Sequence, residues 1–324
     1  MKILYIDNKQ YLHNSDSHID FISSLEKNKF FKVIGYGDYL NKKLNASVRV
    51  KKNVEKQLDN IIKHHRPDAI LTYNSGPNII ELYRWISEKL SKIDIPKFHI
   101  ATDYLRDGFE ENQASWFDDV GYEAVLFRHK VCLEYPLGVK KILLPLSIKA
   151  SLYKQNAKRK VGAKNSLVGF LGSSTVAPDL YANRIAAMDK LRDNDLLSET
   201  KYLEGASRSQ MMFGEHYVKF LTNNLFNLTC GGSCNYFVAK HIQIPAAYSM
   251  LICTDVPGLE DFPEDCYIKY DINNLEKLVE DVRFHISNKN ITAEKIDILH
   301  KHVMKNHNHR VRGRQLKEII EGCL

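Results

Sequence analysis

A cation and an amide lie three residues apart in a segment that combines the start of a helix with a buried strand. Residues 238–262 read VAKHIQIPAAYSMLICTDVPGLEDF, with Lys240 and Gln243 ahead of the apolar run MLIC. A lysine amine donates hydrogen bonds to anionic oxygens, and a glutamine amide can accept one from a hydroxyl group. Pro245 and Ala246 follow, where a proline disturbs a continuing helix. A plain core segment needs none of these polar groups, so the segment is a candidate site.

Two glycine-containing loops, GFLGSST and CGGSCN, each follow an apolar run. In the first loop, Gly172 lets the backbone turn close to a ligand, and Ser173 and Ser174 offer hydroxyls and amides to phosphate oxygens. In the second loop, Gly231 and Gly232 allow a similar close approach. Ordinary tight turns are the alternative for both loops. Neither loop matches GKS/T or GxGxxG, which disfavours P-loop and NAD chemistry.

The charge balance favours an anionic partner without identifying it. The chain has 46 Lys and Arg against 39 Asp and Glu, for a net charge of +7. Nucleotide diphosphates, nucleic acid and anionic membranes would all fit this charge. Three cations are candidates for a phosphate group: Lys240, Arg184 and Arg208. Arg184 is the weakest of them, since an arginine on a helix more often forms a surface ion pair.

Composition indicates an ordinary globular chain. Of the 324 residues, 44% are hydrophobic and 26% charged, as is typical of folded soluble domains. No apolar run approaches the roughly 20 residues that span a bilayer. The N-terminal run MKILYIDNKQ turns polar at once, unlike a signal peptide, so we expect a cytoplasmic protein. Six scattered cysteines lack zinc-site spacing, and we expect free thiols and no structural metal.

The elements that must position these residues alternate between strands and helices. The first half has strands in KILYI, FKVIGYG, AILTYN, KFHIATDY, EAVLFRH and KKILLPLSI, with helices between them. Residues 148–166 are polar and basic and read as a linker. LVGFLGS then restarts the pattern, followed by the strands FNLTC, MLICTD and YIKYD. Such alternation predicts an α/β chain of two Rossmann-like domains, 1–150 and 151–324, with parallel sheets facing a central cleft.

The ordered motifs of the second half resemble one family. VGFLGSS with YANR, FNLTCGGS, VAKHIQIPAAYSMLICTDVPGLEDF, YIKYDINNLEKLVEDVRFHI and the terminal HNHR are similar to the C-terminal domain of the CgeB-like, spore-maturation type glycosyltransferases. RPDAILTYN, ATDY and KKILLPLSI resemble the N-terminal half of that family. The resemblance covers most of the chain and implies the GT-B fold class, with an N-terminal acceptor domain and a C-terminal donor domain. It also allows the last helix to pack back on the N-terminal domain.

The resemblance also implies roles for individual residues. The basic side chain, here Lys240, meets the diphosphate of a nucleotide sugar. A glutamate of the family, here Gln243, accepts hydrogen bonds from the ribose, and Pro245 and Ala246 complete the floor of the nucleotide site. Two departures stand out: Gln243 carries no charge, and Tyr248 replaces a small residue, usually glycine. A different donor, weaker donor binding, or an inactive relative would each account for them.

An inverting transfer would also need a base for the acceptor hydroxyl, supplied by the opposite domain. Asp103 ends the strand KFHIATD, and His13 lies in the first loop after strand one. Both are candidates. Asp103 could instead cap a helix, and His13 could be an ordinary surface histidine.

The expected function is transfer of a sugar from a nucleoside-diphosphate sugar, with a UDP-sugar as the first choice of donor, without a metal or other cofactor. The acceptor stays open among a glycan, a protein and a modified base in DNA. The alternatives are a DNA-modifying glycosyltransferase that acts on a hydroxylated base, and an epimerase or nucleotide-sugar binding protein of the same fold. Positive charge motivates the DNA alternative, although no recognition helix is evident.

Overall fold

The computed structural model describes residues 1–7, 16–37, 48–74, 87–102, 116–154, 161–172, 179–198 and 214–324. Within them the chain divides into two units. The first unit comprises Met1–Pro145 together with His309–Leu324, and the second comprises Leu146–Asn308. The last helix of the chain therefore belongs to the first unit.

Strands and helices alternate along both units. The ten strands of the described residues are β1 (Lys2–Asp7), β2 (Lys32–Gly37), β3 (Ala69–Asn74), β4 (Lys97–Ala101), β5 (Ala124–Phe127), β6 (Lys141–Leu143), β7 (Asn165–Gly169), β8 (Asn224–Leu228), β9 (Met250–Cys253) and β10 (Ile268–Lys269). The helices are α1 (Asp16–Lys27), α2 (Val48–His65), α3 (Ala150–Lys154), α4 (Ala182–Asp193), α5 (Gly214–Asn223), α6 (Lys240–Ala246), α7 (Leu275–Ser287), α8 (Lys289–Asn306) and α9 (His309–Glu321). Residues 87–91 and 116–120 are also helical.

The first unit is built on a six-stranded sheet in the order β2-β1-β3-β4-β5-β6, with every pair parallel. Its central strands are apolar runs because helices cover both faces of such a sheet. Helix α1 packs against α9, and its Phe21 and Leu25 share a buried cluster with Leu316 and Ile320 of α9. This shared core joins the C-terminal helix to the first unit.

The second unit is built on a four-stranded parallel sheet in the order β10-β9-β8-β7. Strands β8 and β9 are completely buried. One side of the core includes Phe170, Met188 and Leu191. Since strands of a parallel sheet all end at the same edge, the loops after β7, β8 and β9 gather there, and such edges are where ligands bind in α/β domains.

Residues 148–166 are more structured than the linker that their polar sequence predicts. They contain helix α3 and the first residues of β7. Tyr153 of α3 is 3% exposed and joins the core of the second unit. The segment is polar overall, and one buried ring is enough to fix a single helical turn against α5. The strand expected in KKILLPLSI is also shorter, since β6 ends at Leu143, two residues before Pro145.

Candidate functional site

The loop after β7 holds the amine of Lys240. The Nζ atom of Lys240 donates a hydrogen bond to the carbonyl oxygen of Leu171 and lies 5.1 Å from the centre of the Phe170 ring. A methyl group added at Gly172 would lie 2.7 Å from that Nζ atom and 2.9 Å from the Phe170 ring. A side chain at position 172 would therefore displace the lysine amine from its present place beside the loop.

Arg184 of α4 shares the same aromatic ring. Its guanidinium carbon is 4.7 Å from the centre of Phe170 and 3.9 Å from the centre of Tyr181, and the residue is only 5% exposed. The expectation of a surface ion pair for Arg184 is wrong: the arginine is buried among aromatic rings, where cation–π attraction holds it. The charged groups of Lys240 and Arg184 therefore both lie close to the same Phe170 ring.

The charge of Arg184 acts on the amine of Lys240. Burial, with a further contribution from the Arg184 guanidinium, lowers the pKa of Lys240 to about 7. Both effects disfavour a charged amine. A bound anion would remove the penalty by supplying the opposite charge. This arrangement is therefore suited to phosphate oxygens next to the amides of a glycine loop.

The loop after β8 brings its glycine backbone to the same edge of the sheet. The amide of Gly231 donates to Oγ1 of Thr254 at 3.2 Å, so it already has a partner. A methyl group at Gly231 would lie 2.5 Å from Cγ1 of Val256, and Gly232 has a φ of +65°. Packing thus excludes a side chain at position 231, and the turn favours glycine at position 232, whatever ligand the loop contacts.

Gln243 lies on α6, three residues after Lys240. Its Oε1 atom accepts a hydrogen bond of 3.2 Å from the hydroxyl of Tyr217 on α5. The side chain is partly buried. Tyr217 therefore fixes the amide with its oxygen toward α5, which leaves the Nε2 group to donate elsewhere.

Pro245 and Ala246 complete α6 as core residues. Both are buried, and the carbonyl of Pro245 accepts a hydrogen bond from Nδ1 of His300 at 3.0 Å. Their part in any site is to set the position of α6, because their side chains pack into the second unit.

Tyr248 occupies a backbone conformation that suits glycine. Its φ is +58°, in the left-handed region that costs an L-residue about 1–2 kcal/mol. The carbonyl of Tyr248 accepts a hydrogen bond of 2.7 Å from Nζ of Lys164, and its ring meets His300 at 5.2 Å. The departure from glycine thus has a backbone cost, and the ring packs against α8.

Five of the predicted site residues lie outside the described residues. They are Ser173, Ser174 and Arg208 of the donor candidates and Asp103 and His13 of the base candidates. Two described residues at this site were not anticipated, Phe170 and Tyr217. Phe170 could have been noticed as the aromatic residue inside the GFLG motif. Tyr217 carried no signal, since its contact joins two helices that are distant in sequence.

A groove of about 960 Å³ lies beside β10 and borders the loops after β8 and β9, at Asn235 and Val256. Its walls carry both signs of charge, including Asp255 paired with Lys269 at 3.2 Å and Lys277 paired with Asp281 at 2.7 Å. Neither Lys240 nor Gly172 lines this groove.

All six cysteines are free thiols, and four of them are buried: Cys132, Cys230, Cys253 and Cys266. Among the residues that the structure describes, no group of three or more His, Cys, Asp or Glu is placed to hold a metal ion. No helix in this described part is both long and apolar enough to cross a bilayer.

By sequence, no protein-family model and no curated protein matches the chain. By structure, it is similar along 99% of its length to a sucrose-phosphate synthase from Thermosynechococcus elongatus, with a TM-score of 0.67, 8% identity and 99% of that chain covered. The HepE protein of Anabaena, in complex with UDP and glucose, matches over 99% of this chain and 100% of its own, with a TM-score of 0.64 and 10% identity. The chain has the GT-B fold.

A third similar structure is an alpha-glucosyltransferase in complex with UDP and a 13-mer DNA containing an HMU base. It matches with a TM-score of 0.65 and 11% identity over 99% of both chains. The GT-B fold confirms the fold class that the resemblance implied, and the two parallel sheets confirm the α/β class expected from alternating strands and helices. At these identities the similarity extends to the fold alone.

Proposed function

We propose that this chain is a glycosyltransferase that takes its sugar from a nucleoside-diphosphate sugar. The observation that carries the proposal is the pair of cations, Lys240 and Arg184, on Phe170 beside the Gly172 loop. Glycosyl transfer leaves negative charge on the departing diphosphate, and fixed positive groups stabilise that charge. The GT-B fold and the resemblance to CgeB-like glycosyltransferases support the same assignment.

In this proposal Lys240 and Arg184 hold the diphosphate, and Gln243 contacts the ribose. Gly231 and Gly232 allow the backbone after β8 to approach the nucleotide closely. Ser173, Ser174 and Arg208 remain predicted donor contacts from sequence. Asp103 and His13 remain the candidates for the base that an inverting transfer requires.

UDP-sugars are the proposed donors. Two structures of the same fold, HepE of Anabaena and the alpha-glucosyltransferase, were determined in complex with UDP. Metal independence is part of the proposal, by resemblance to GT-B enzymes, and we expect EDTA to leave activity unchanged.

A screen of donor hydrolysis across UDP-, GDP- and dTDP-sugars tests the proposal without knowledge of the acceptor. We expect one donor class to be hydrolysed slowly and its diphosphate to raise the unfolding temperature, since a ligand at 100 times its Kd stabilises by about 2.7 kcal/mol. No hydrolysis and no stabilisation by any of the three nucleotides would contradict it.

A hydroxylated base in DNA is the second candidate for the acceptor. Two observations favour it: the net charge of +7 and the DNA present in the alpha-glucosyltransferase structure. Duplex binding that weakens steeply with salt would support this acceptor. Binding that does not change with salt, or no binding, would leave a glycan or protein acceptor.

A further inference from the structure

The amine of Lys240 is surrounded on several sides by groups that bear on its charge. Leu171 supplies a carbonyl acceptor, and Phe170 supplies a ring face. Arg184 opposes a positive charge on the amine, and the Cys230 thiol acts in the opposite direction. None of these groups is a carboxylate. The described residues that act on the charged amine therefore include no strong counter-ion.

Two neighbouring titratable groups, His241 and Tyr270, have pKa values displaced away from neutral pH. Burial is the largest of the causes that lower the pKa of His241 to about 4. Burial likewise raises the pKa of Tyr270, which lies near both Arg184 and Cys230. Lys240 is different: burial and Arg184 place its pKa at about 7, so the amine is divided between its neutral and charged forms at neutral pH.

We propose that Lys240 takes up a proton from solvent when the diphosphate of the donor binds. This inference rests on the proposed function, because it takes the ligand to be a nucleoside-diphosphate sugar. The two negative charges of the diphosphate favour the ammonium form and offset the repulsion from Arg184. No bond other than the new N–H forms, and the proton remains on Nζ while the donor is bound.

Linkage sets the sign of the pH dependence. Anion binding raises the pKa of Lys240 above its value in the free protein, so donor affinity is greatest below pH 7 and constant there. Above the free pKa, affinity falls about tenfold per pH unit until the pKa of the complex is reached. With a free pKa of about 7, the Kd should rise about 30-fold between about pH 6 and about pH 8.5.

Titration calorimetry with UDP-glucose tests the coupling directly. Each phosphate of this ligand carries one negative charge throughout that pH range, so the ligand itself takes up no proton. Heats measured in two buffers of different ionisation enthalpy give the number of protons bound. We expect nearly one proton at about pH 8.5 and nearly none at about pH 6.

Three variants assign the proton to Lys240. Lys240→Arg carries a permanent charge and should show a flat pH profile with no proton uptake. Lys240→Met should bind weakly at every pH, also without uptake. Arg184→Gln removes the repulsive charge and should move the rise in Kd to higher pH. Lys305→Arg, at an exposed position near the end of α8, is the matched control and should behave as wild type.

The outcomes separate this proposal from the proposed function. A wild-type Kd that is constant with pH would overturn the coupling and leave the donor assignment intact. Proton uptake that persists in Lys240→Arg would place the titrating group elsewhere and also overturn it. No binding of UDP-glucose at any pH would overturn the coupling and contradict the UDP-sugar assignment.

Discussion

Two positive side chains on one aromatic ring define the chemistry of the site at the level of single residues. Lys240 comes from the first position of α6 and Arg184 from α4, and both contact Phe170. Holding them together costs free energy because like charges repel and burial removes water. Proteins keep such pairs where an anion relieves the cost, and perturbed lysines of this kind are frequent at functional sites.

Removal of the Lys240 amine should weaken donor binding without unfolding the chain. Lys240→Ala should cost about 1.5–3 kcal/mol of UDP affinity, the usual value of a hydrogen bond to a charged group. Calorimetry at about pH 6.5, where most of the amine is charged, measures this loss. Lys305→Ala is the control and should match wild type. Equal UDP affinity of Lys240→Ala and wild type would remove Lys240 from the site.

Gln243 should affect the nucleoside and leave the phosphates alone. Gln243→Ala should weaken UDP by about tenfold, since one hydrogen bond is lost, and leave the affinity for pyrophosphate unchanged. Gln243→Glu can accept the Tyr217 hydrogen bond on one carboxylate oxygen and a ribose hydroxyl on the other, and should bind UDP at least as tightly as wild type. Tyr217→Phe controls for orientation and should have the smaller effect on UDP. A matching loss of pyrophosphate affinity in Gln243→Ala would contradict the ribose assignment.

Tyr248 provides a test of backbone strain. Tyr248→Gly and Tyr248→Ala lose the same contacts with His300, but only the glycine relieves the left-handed φ of +58°. We expect the glycine variant to be more stable than the alanine variant by about 1 kcal/mol. Denaturant unfolding compares the two free energies. An alanine variant that is as stable as the glycine variant would show that the backbone relaxes at this position.

At the level of elements, the site depends on how closely α6 approaches the loop after β7. Gly172→Ala would force a methyl group against Nζ of Lys240 and the ring of Phe170. The flexible amine should move first, so we expect about tenfold weaker UDP binding and little loss of stability. Gly162→Ala is the matched control, because a methyl group there meets no atom within 4 Å.

Unchanged UDP affinity in Gly172→Ala would mean that this loop and Lys240 do not bind the phosphates together. A large loss of stability would mean instead that the Phe170 ring, and not the amine, has to move. Circular dichroism melts beside the calorimetry distinguish these cases.

The sequence predicted most strands because each is a short apolar run between polar segments. β1, β3, β8 and β9 lie where those runs predict them, and their near-complete burial explains the signal. Helix α3 was missed because its single turn has one buried side chain, Tyr153, in a basic segment.

The contacts within the site were harder to predict from the sequence than the fold was. Lys240 could be singled out because a cation beside a buried strand has no role in the core. The burial of Arg184 could not be predicted, because this burial depends on the rings of Phe170 and Tyr181 packing around the guanidinium. The hydrogen bond from Tyr217 to Gln243 likewise requires α5 and α6 to be neighbours, which local sequence patterns do not encode.

At the scale of the whole molecule, the two units are separate layered domains with different sheets. The first has six strands and the second four, and the chain leaves the first unit after Pro145 and returns to it at His309. All the described residues proposed to bind the donor lie in the second unit. We therefore expect donor binding to affect the second unit and to leave the first unit unchanged.

Amide hydrogen exchange with and without saturating UDP locates the nucleotide along the chain. We expect slower exchange at residues 169–172, 230–232 and 238–243 of the second unit. We expect no change in α1 or α9 of the first unit, or in α7 beside the groove at β10. Protection confined to α7 and residues 264–269 would place the nucleotide in that groove and would contradict the site proposed at Lys240, as would no protection anywhere.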